Sequence, residues 1–80
     1  MRVRVLLFAL YRDLAGTEEL EIELNPGATA RELVEAVRRQ PRLNVIPAAP
    51  ALAINHEYAP LSAILADGDE VALLPPVAGG

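Results

Sequence analysis

Cysteine is missing from all 80 residues. Its absence excludes disulfides, a thiolate nucleophile and cysteine-ligated metal. Any sulfur this chain handles must sit somewhere other than a side-chain thiol. Lysine is missing too: all seven basic residues are arginine, so no side chain offers an amine to accept an isopeptide bond. Positive charge is scarce, with seven basic against eleven acidic residues and a net charge of −4. That argues against nucleic acid, which is held by Lys and Arg neutralising phosphates. No stretch approaches the ~18–20 apolar residues of a membrane span. Met1 to Leu10 imitates a short signal peptide, but Arg12 and Asp13 follow at once and no small-residue cleavage site appears. A cytoplasmic location is therefore expected.

What remains is the composition of one small globular domain, 52% hydrophobic and 22% charged. Such a chain buries only about 60–65% of its unfolded surface, so its core is modest. Arg2 to Ala9 alternates and reads as a strand, with Val3, Val5, Leu7 and Ala9 on one face and Arg2, Arg4, Leu6 and Phe8 on the other. Tyr11 to Gly16 reads as a short irregular or single-turn segment. Glu19 to Leu24 alternates cleanly, a strand with a dry face (Leu20, Ile22, Leu24) and an acidic, solvated one. Asn25-Pro26-Gly27 is a turn. Thr29 and Glu32 have the spacing of a capping box, Leu33, Val34 and Val37 with Ala30 form a helical stripe, and Pro41 ends that helix at about Gln40.

Residues 42–50 read as irregular. Ala51 to Asn55 is a short strand, followed by a turn at Asn55-His56-Glu57 and a brief extension at Tyr58-Ala59. Leu61 to Leu65 has the look of one helical turn. Asp67-Gly68-Asp69 is a turn into a last strand, Glu70 to Leu74. The fold class is α+β: a mixed sheet with one main helix on one face, and the first and last strands side by side in its centre.

The last strand ends at Pro75-Pro76. Two prolines remove two backbone donors, so the ladder must stop. The division is thus a domain over residues 1–74 and a flexible tail over 75–80, ending Val77-Ala78-Gly79-Gly80. Six residues can reach roughly 20 Å. Gly79 and Gly80 lack a Cβ and suit a narrow slot in a partner. The Gly80 carboxylate is then the working group, unless the glycines are merely a frayed end. One helix covers one sheet face; on the other, Phe8 and Leu74 should form an apolar patch at the tail root, unless loop 42–50 folds over it. His56 is the only histidine. Ser62 has no base near it in sequence, and Asp67 and Asp69 lack the remaining ligands of a calcium loop.

Three segments together carry a resemblance. They are Leu7-Phe8-Ala9 with Arg12, Leu14 and Gly16; Asp67-Gly68-Asp69-Glu70-Val71-Ala72; and Pro75-Pro76-Val77-Ala78-Gly79-Gly80. These match patterns close to LFAxxRxLxG and DGDEVAxxPPVxGG, and the chain resembles the small subunits of molybdopterin synthase, a family of ubiquitin-like β-grasp sulfur carriers. The middle, from about Gln40 to Pro50, carries no family signal. The resemblance implies a β-grasp fold and a sulfur carrier in molybdenum cofactor biosynthesis. An E1-like activating enzyme would adenylate Gly80 with ATP, and a persulfide from a sulfur-donor protein would displace AMP to leave a thiocarboxylate. The tail, Gly79 included, would enter the large subunit of a heterotetramer and give its sulfur to a pyranopterin precursor. Phe8, Leu74, Pro75, Pro76, Val77 and Ala78 would meet the partner. No cofactor or metal would be bound by the chain itself, and the catalytic groups would lie on the large subunit. The family often has an aromatic where Leu74 stands, and Arg12 matches a family arginine without an assigned role. Alternatives are a carrier for thiamine or tRNA thiolation, an interaction module with an inert tail, and a protein modifier.

Overall fold

The computed structural model describes residues 1–76. Five strands, β1 (Arg2–Leu7), β2 (Glu19–Glu23), β3 (Ala51–Ile54), β4 (Glu57–Tyr58) and β5 (Glu70–Leu74), form one mixed sheet in the order β2-β1-β5-β3-β4. β1 and β5 are parallel neighbours, as the two-strand centre requires, and the other pairings are antiparallel. Two helices accompany the sheet, α1 (Ala9–Ala15) and α2 (Ala30–Arg38).

The alternation seen in the sequence becomes the two faces of this sheet. Val3, Val5, Val71 and Leu73 are fully buried against Leu33, Val34 and Val37 of α2. Removing these side chains from water is the main stabilising term, at roughly 1.5–3 kcal/mol for each Val or Leu. α2 starts where its capping box says. The Thr29 hydroxyl accepts from Glu32 N–H at 3.4 Å, and the Glu32 carboxylate accepts from Thr29 N–H at 3.3 Å. Two further N–H groups that a helix start leaves open are met from afar: Ala30 donates to Ala63 O and Arg31 to Leu61 O, both at 2.9 Å.

Four readings change. β1 ends at Leu7, because Phe8 caps α1 and Ala9 takes a left-handed φ of 48°. The segment after β1 is a seven-residue helix, closed by Gly16 at φ 76°, rather than an irregular turn. Its apolar signal is split between an exposed Leu10 and a buried Tyr11, so no clean helical stripe shows in the sequence. α2 ends at Arg38, two residues before Gln40; Arg39 N–H turns back to Ala36 O and Gln40 N–H to Val37 O. Leu61 to Leu65 is not a helical turn. Its carbonyls serve the start of α2, Ile64 bridges to Thr29, and Leu65 N–H reaches Ala28 O.

Residues 42–50 divide their work. A 3-10 turn (Leu43–Val45) packs against α2 and α1 and sends Leu43 and Ile46 into the core. Arg38 holds the turn by donating from Nε to Ile46 O at 2.7 Å. Pro47, Ala49 and Pro50 then reach the edge of the sheet beside Leu74.

Candidate functional site

The open face of the sheet is read from the strand registers. Cross-strand partners share a face, so Glu19, Leu6, Ala72, Ala53 and Tyr58 form one row across all five strands. The row above it holds Leu74 and Ala51, with Phe8 one step past the end of β1. The row below is Glu21, Arg4 and Glu70, and the next begins with Glu23 and Arg2. The face therefore has a charged half and an apolar half. β5 runs from the first to the second.

In the charged half two arginines hold the acidic row. Arg2 pairs with Glu23 at 2.9 Å and Glu21 at 3.6 Å, and Arg4 with Glu70 at 2.8 Å and Glu19 at 3.4 Å. The hydrogen bond that Arg2 donates to Glu23, then the charges of Glu23 and Glu21, push the Arg2 guanidinium above its ordinary range. The Asp67-Gly68-Asp69 turn is a splice between β5 and its neighbours. Asp67 accepts from Arg2 N–H at 2.8 Å, Gly68 N–H donates to Arg2 O, and Asp69 accepts from Asn55 Nδ2 at 3.0 Å and Ala66 N–H at 2.7 Å. These aspartates are spent on backbone and amide donors. Among the described residues no three His, Cys, Asp or Glu side chains converge as a metal site.

The apolar half carries the end of β5. Leu74 and Pro75 are half-buried and Pro76 is exposed. With Pro47, Ala49, Pro50, Ala51 and Tyr58 they line a hollow of about 350 Å³. A second hollow, about 530 Å³, lies on the β2 side and is lined by Leu6, Phe8, Arg12, Thr17 and Glu19 among others. Phe8 is 43% exposed, so residues 42–50 edge the apolar half without closing over it. Phe8 and Leu74 line different hollows on the two flanks of the tail root. Arg12 sits one helical turn after Phe8, and its nearest carboxylate is the adjacent Asp13 at 3.6 Å. Val77, Ala78, Gly79 and Gly80 lie outside the described residues.

Sequence reasoning missed Tyr58. It is 82% exposed on the same row as Leu6 and Ala72. The available signal was a tyrosine two residues after a turn; its face depends on the β3–β4 register, which periodicity over two residues cannot supply. His56 lies in that turn, with its side chain 88% exposed and Nε2 3.7 Å from Glu70. Ser62 is exposed in the segment that serves α2.

Comparison with known proteins places this geometry. The ThiS family model matches residues 5–80. A molybdopterin synthase sulfur carrier subunit of Arabidopsis thaliana is 38% identical over the whole of this chain and 84% of its own length. SAMP1 of Haloferax volcanii, a small archaeal modifier protein, superposes with a TM-score of 0.86 at 27% identity over all of both chains. A chain from the complex of subunits 1 and 2 of the molybdopterin-converting factor of Helicobacter pylori superposes with a TM-score of 0.72 at 31% identity, again over all of both. With a mixed sheet whose parallel centre is formed by its first and last strands, this chain belongs to the ThiS family and has the ubiquitin-like β-grasp fold.

Proposed function

We propose that the chain is the sulfur carrier subunit of a molybdopterin synthase. The observation that carries this reading is the course of β5. It runs through the middle of the sheet and delivers Pro75-Pro76 beside the unpartnered apolar half of the open face. A docked partner meets the tail and its root together. Relatives named as sulfur carrier subunits of this synthase match the chain from end to end, and one solved relative is a complex of two subunits.

The chemistry follows from a poor leaving group. A carboxylate does not acylate sulfur, so an E1-like enzyme first joins Gly80 to AMP, releasing pyrophosphate from ATP. A protein persulfide attacks the acyl-adenylate and AMP leaves. A thiol then opens the acyl disulfide, takes the donor's sulfur into a mixed disulfide, and frees the thiocarboxylate. Gly79 and Gly80 lack a Cβ and are slim enough for a narrow slot. Phe8, Leu74, Pro75, Pro76, Val77 and Ala78, joined now by Tyr58, contact the large subunit. That subunit supplies the catalytic groups within a heterotetramer, and the carrier itself holds no cofactor.

The test is the intact mass of the full chain after incubation with ATP, an activating enzyme and a sulfur source. One oxygen-for-sulfur exchange localised to Gly80 is expected, together with loss of synthase activity on deleting Gly80 while the fold is retained. Full activity of the truncated chain would sink the proposal. The likeness to SAMP1 supports one second reading, in which activated Gly80 passes to an amine of another protein. Conjugates in lysate, without the mass gain, would select it.

A further inference from the structure

We propose that the sheet is stopped on both flanks of β5 at one level, by Pro75, Pro76 and the carbonyl of Phe8 acting together. The stop keeps the segment after Leu74 from being drawn into the ladder, so that its end stays available to an enzyme. The use of that end rests on the sulfur-carrier reading above; the stop itself rests on backbone geometry alone.

Successive N–H groups of a strand point to opposite edges. On the β1 flank, Arg4 N–H donates to Asp69 O at 2.9 Å. That bond and the pairs Arg4↔Glu70 and Leu6↔Ala72 set the phase: even residues of β1 and odd residues of β5 face each other. Continued one step, the register would have an N–H at position 75 donate to Phe8 O. Pro75 has no such donor. The acceptor is diverted as well, since Phe8 O receives Tyr11 N–H at 3.0 Å and Arg12 N–H at 3.4 Å. The first turn of α1 thus takes over the carbonyl that β5 would use next.

On the β3 flank, Asn55 N–H donates to Glu70 O at 2.8 Å. With the pairs Ala53↔Ala72 and Ala51↔Leu74, that bond makes positions 49 and 76 the next rank to exchange hydrogen bonds. An N–H at position 76 would point at Ala49 O, and Ala49 does line the same hollow as Pro76. Pro76 removes that donor. Pro75 takes away the next donor toward β1, and Pro76 one of the two bonds of the next rank toward β3. The structural reason for the Pro75-Pro76 pair, and for the position of α1, is therefore the same.

The two flanks differ in a way that can be measured. Pro75→Val restores a donor whose acceptor α1 already occupies. Pro76→Val restores a donor facing Ala49. In the full-length chain, amide hydrogen exchange at the new position-76 amide is expected to slow at least tenfold relative to an unstructured peptide. The position-75 amide of the other variant is expected to stay near the peptide rate. Only chains with the tail out of the ladder are competent, so Pro76→Val raises KM for the activating enzyme by the factor that the competent fraction falls. Peptide-like exchange at position 76 overturns the stop, and slowed exchange with an unaltered KM overturns its link to activation. If the wild-type chain itself is never thiocarboxylated, the sulfur-carrier reading fails, while the exchange arm, which needs no enzyme, still decides the stop.

Discussion

Tyr11 shows what one side chain does when the chain turns sooner than alternation suggests. It is buried in the core at the end of the sheet. Burial pushes its phenol above the ordinary value of 10.0. The sign of the linkage follows. Above about pH 10 the unfolded chain releases this proton first, so the folded state loses stability as pH rises. Below that pH the contribution is fully present. Tyr11→Phe is expected to remove this alkaline loss. The urea midpoint of the variant should fall less than wild type between pH 8 and the alkaline side of the transition, and equal falls would exclude Tyr11 as the source. His56 is held in a strained backbone state, at φ 74° beside Asn55 at φ 49°. Two residues of positive φ between β3 and β4 make a type I′ turn, in which the second place suits glycine. His56→Gly is expected to stabilise the fold by about 1 kcal/mol, seen as a higher urea midpoint at unchanged slope.

At the scale of the element, α2 shows the closest agreement between sequence and structure. Its capping box, its buried stripe and its stop near Pro41 all follow from local chemistry. Thr29→Ala removes the hydroxyl that accepts from Glu32 N–H, while the backbone N–H of position 29 still donates to the Glu32 carboxylate, and is expected to lower stability by about 1 kcal/mol. In a domain of this size that corresponds to a fall of roughly 4–8 °C in Tm, and an unchanged melting curve would show that the Leu61–Leu65 segment holds the helix start alone. α1 is the opposite case. At seven residues, it is too short to be stable from propensity alone. It exists because Tyr11 fills the core, and because Gly16 supplies a left-handed close. Residues 42–50 behave likewise: Leu43 and Ile46 become core residues only once α1 and α2 provide walls for them.

For the whole molecule the decisive feature is the division of the open face. The paired half is exposed to water, and surface pairs of this kind contribute little stability each, typically 0–1 kcal/mol. It ties the acidic row of β2 and β5 to β1 next to the apolar half of the face. Phe8→Asp puts a charge at the edge of that area. Docking would bury it unpaired, at about 3 kcal/mol or roughly a hundredfold in Kd for the large subunit. Titration calorimetry checks this; an unaltered Kd would remove Phe8 from the interface. No helix among the described residues is long and apolar enough to cross a membrane.

The faces of β1, β2 and β5, the start and stripe of α2, and the end of the ladder at Pro75-Pro76 were all determined by sequence. Each depends on neighbours within a few residues: alternation, a cap four residues long, a missing donor. The adjacency of β1 and β5 was legible from one crossover helix. Only tertiary structure decided that β1 yields to a helix at Phe8, that Tyr58 joins the apolar row, and that residues 47–50 flank the root of the tail. Those facts depend on register between strands far apart in the chain, and on which side chains the core has room to accept. The two scales meet at Phe8. Its place at the end of an apolar run is written in the sequence, but the use of its carbonyl by Tyr11 and Arg12 of α1 belongs to the fold.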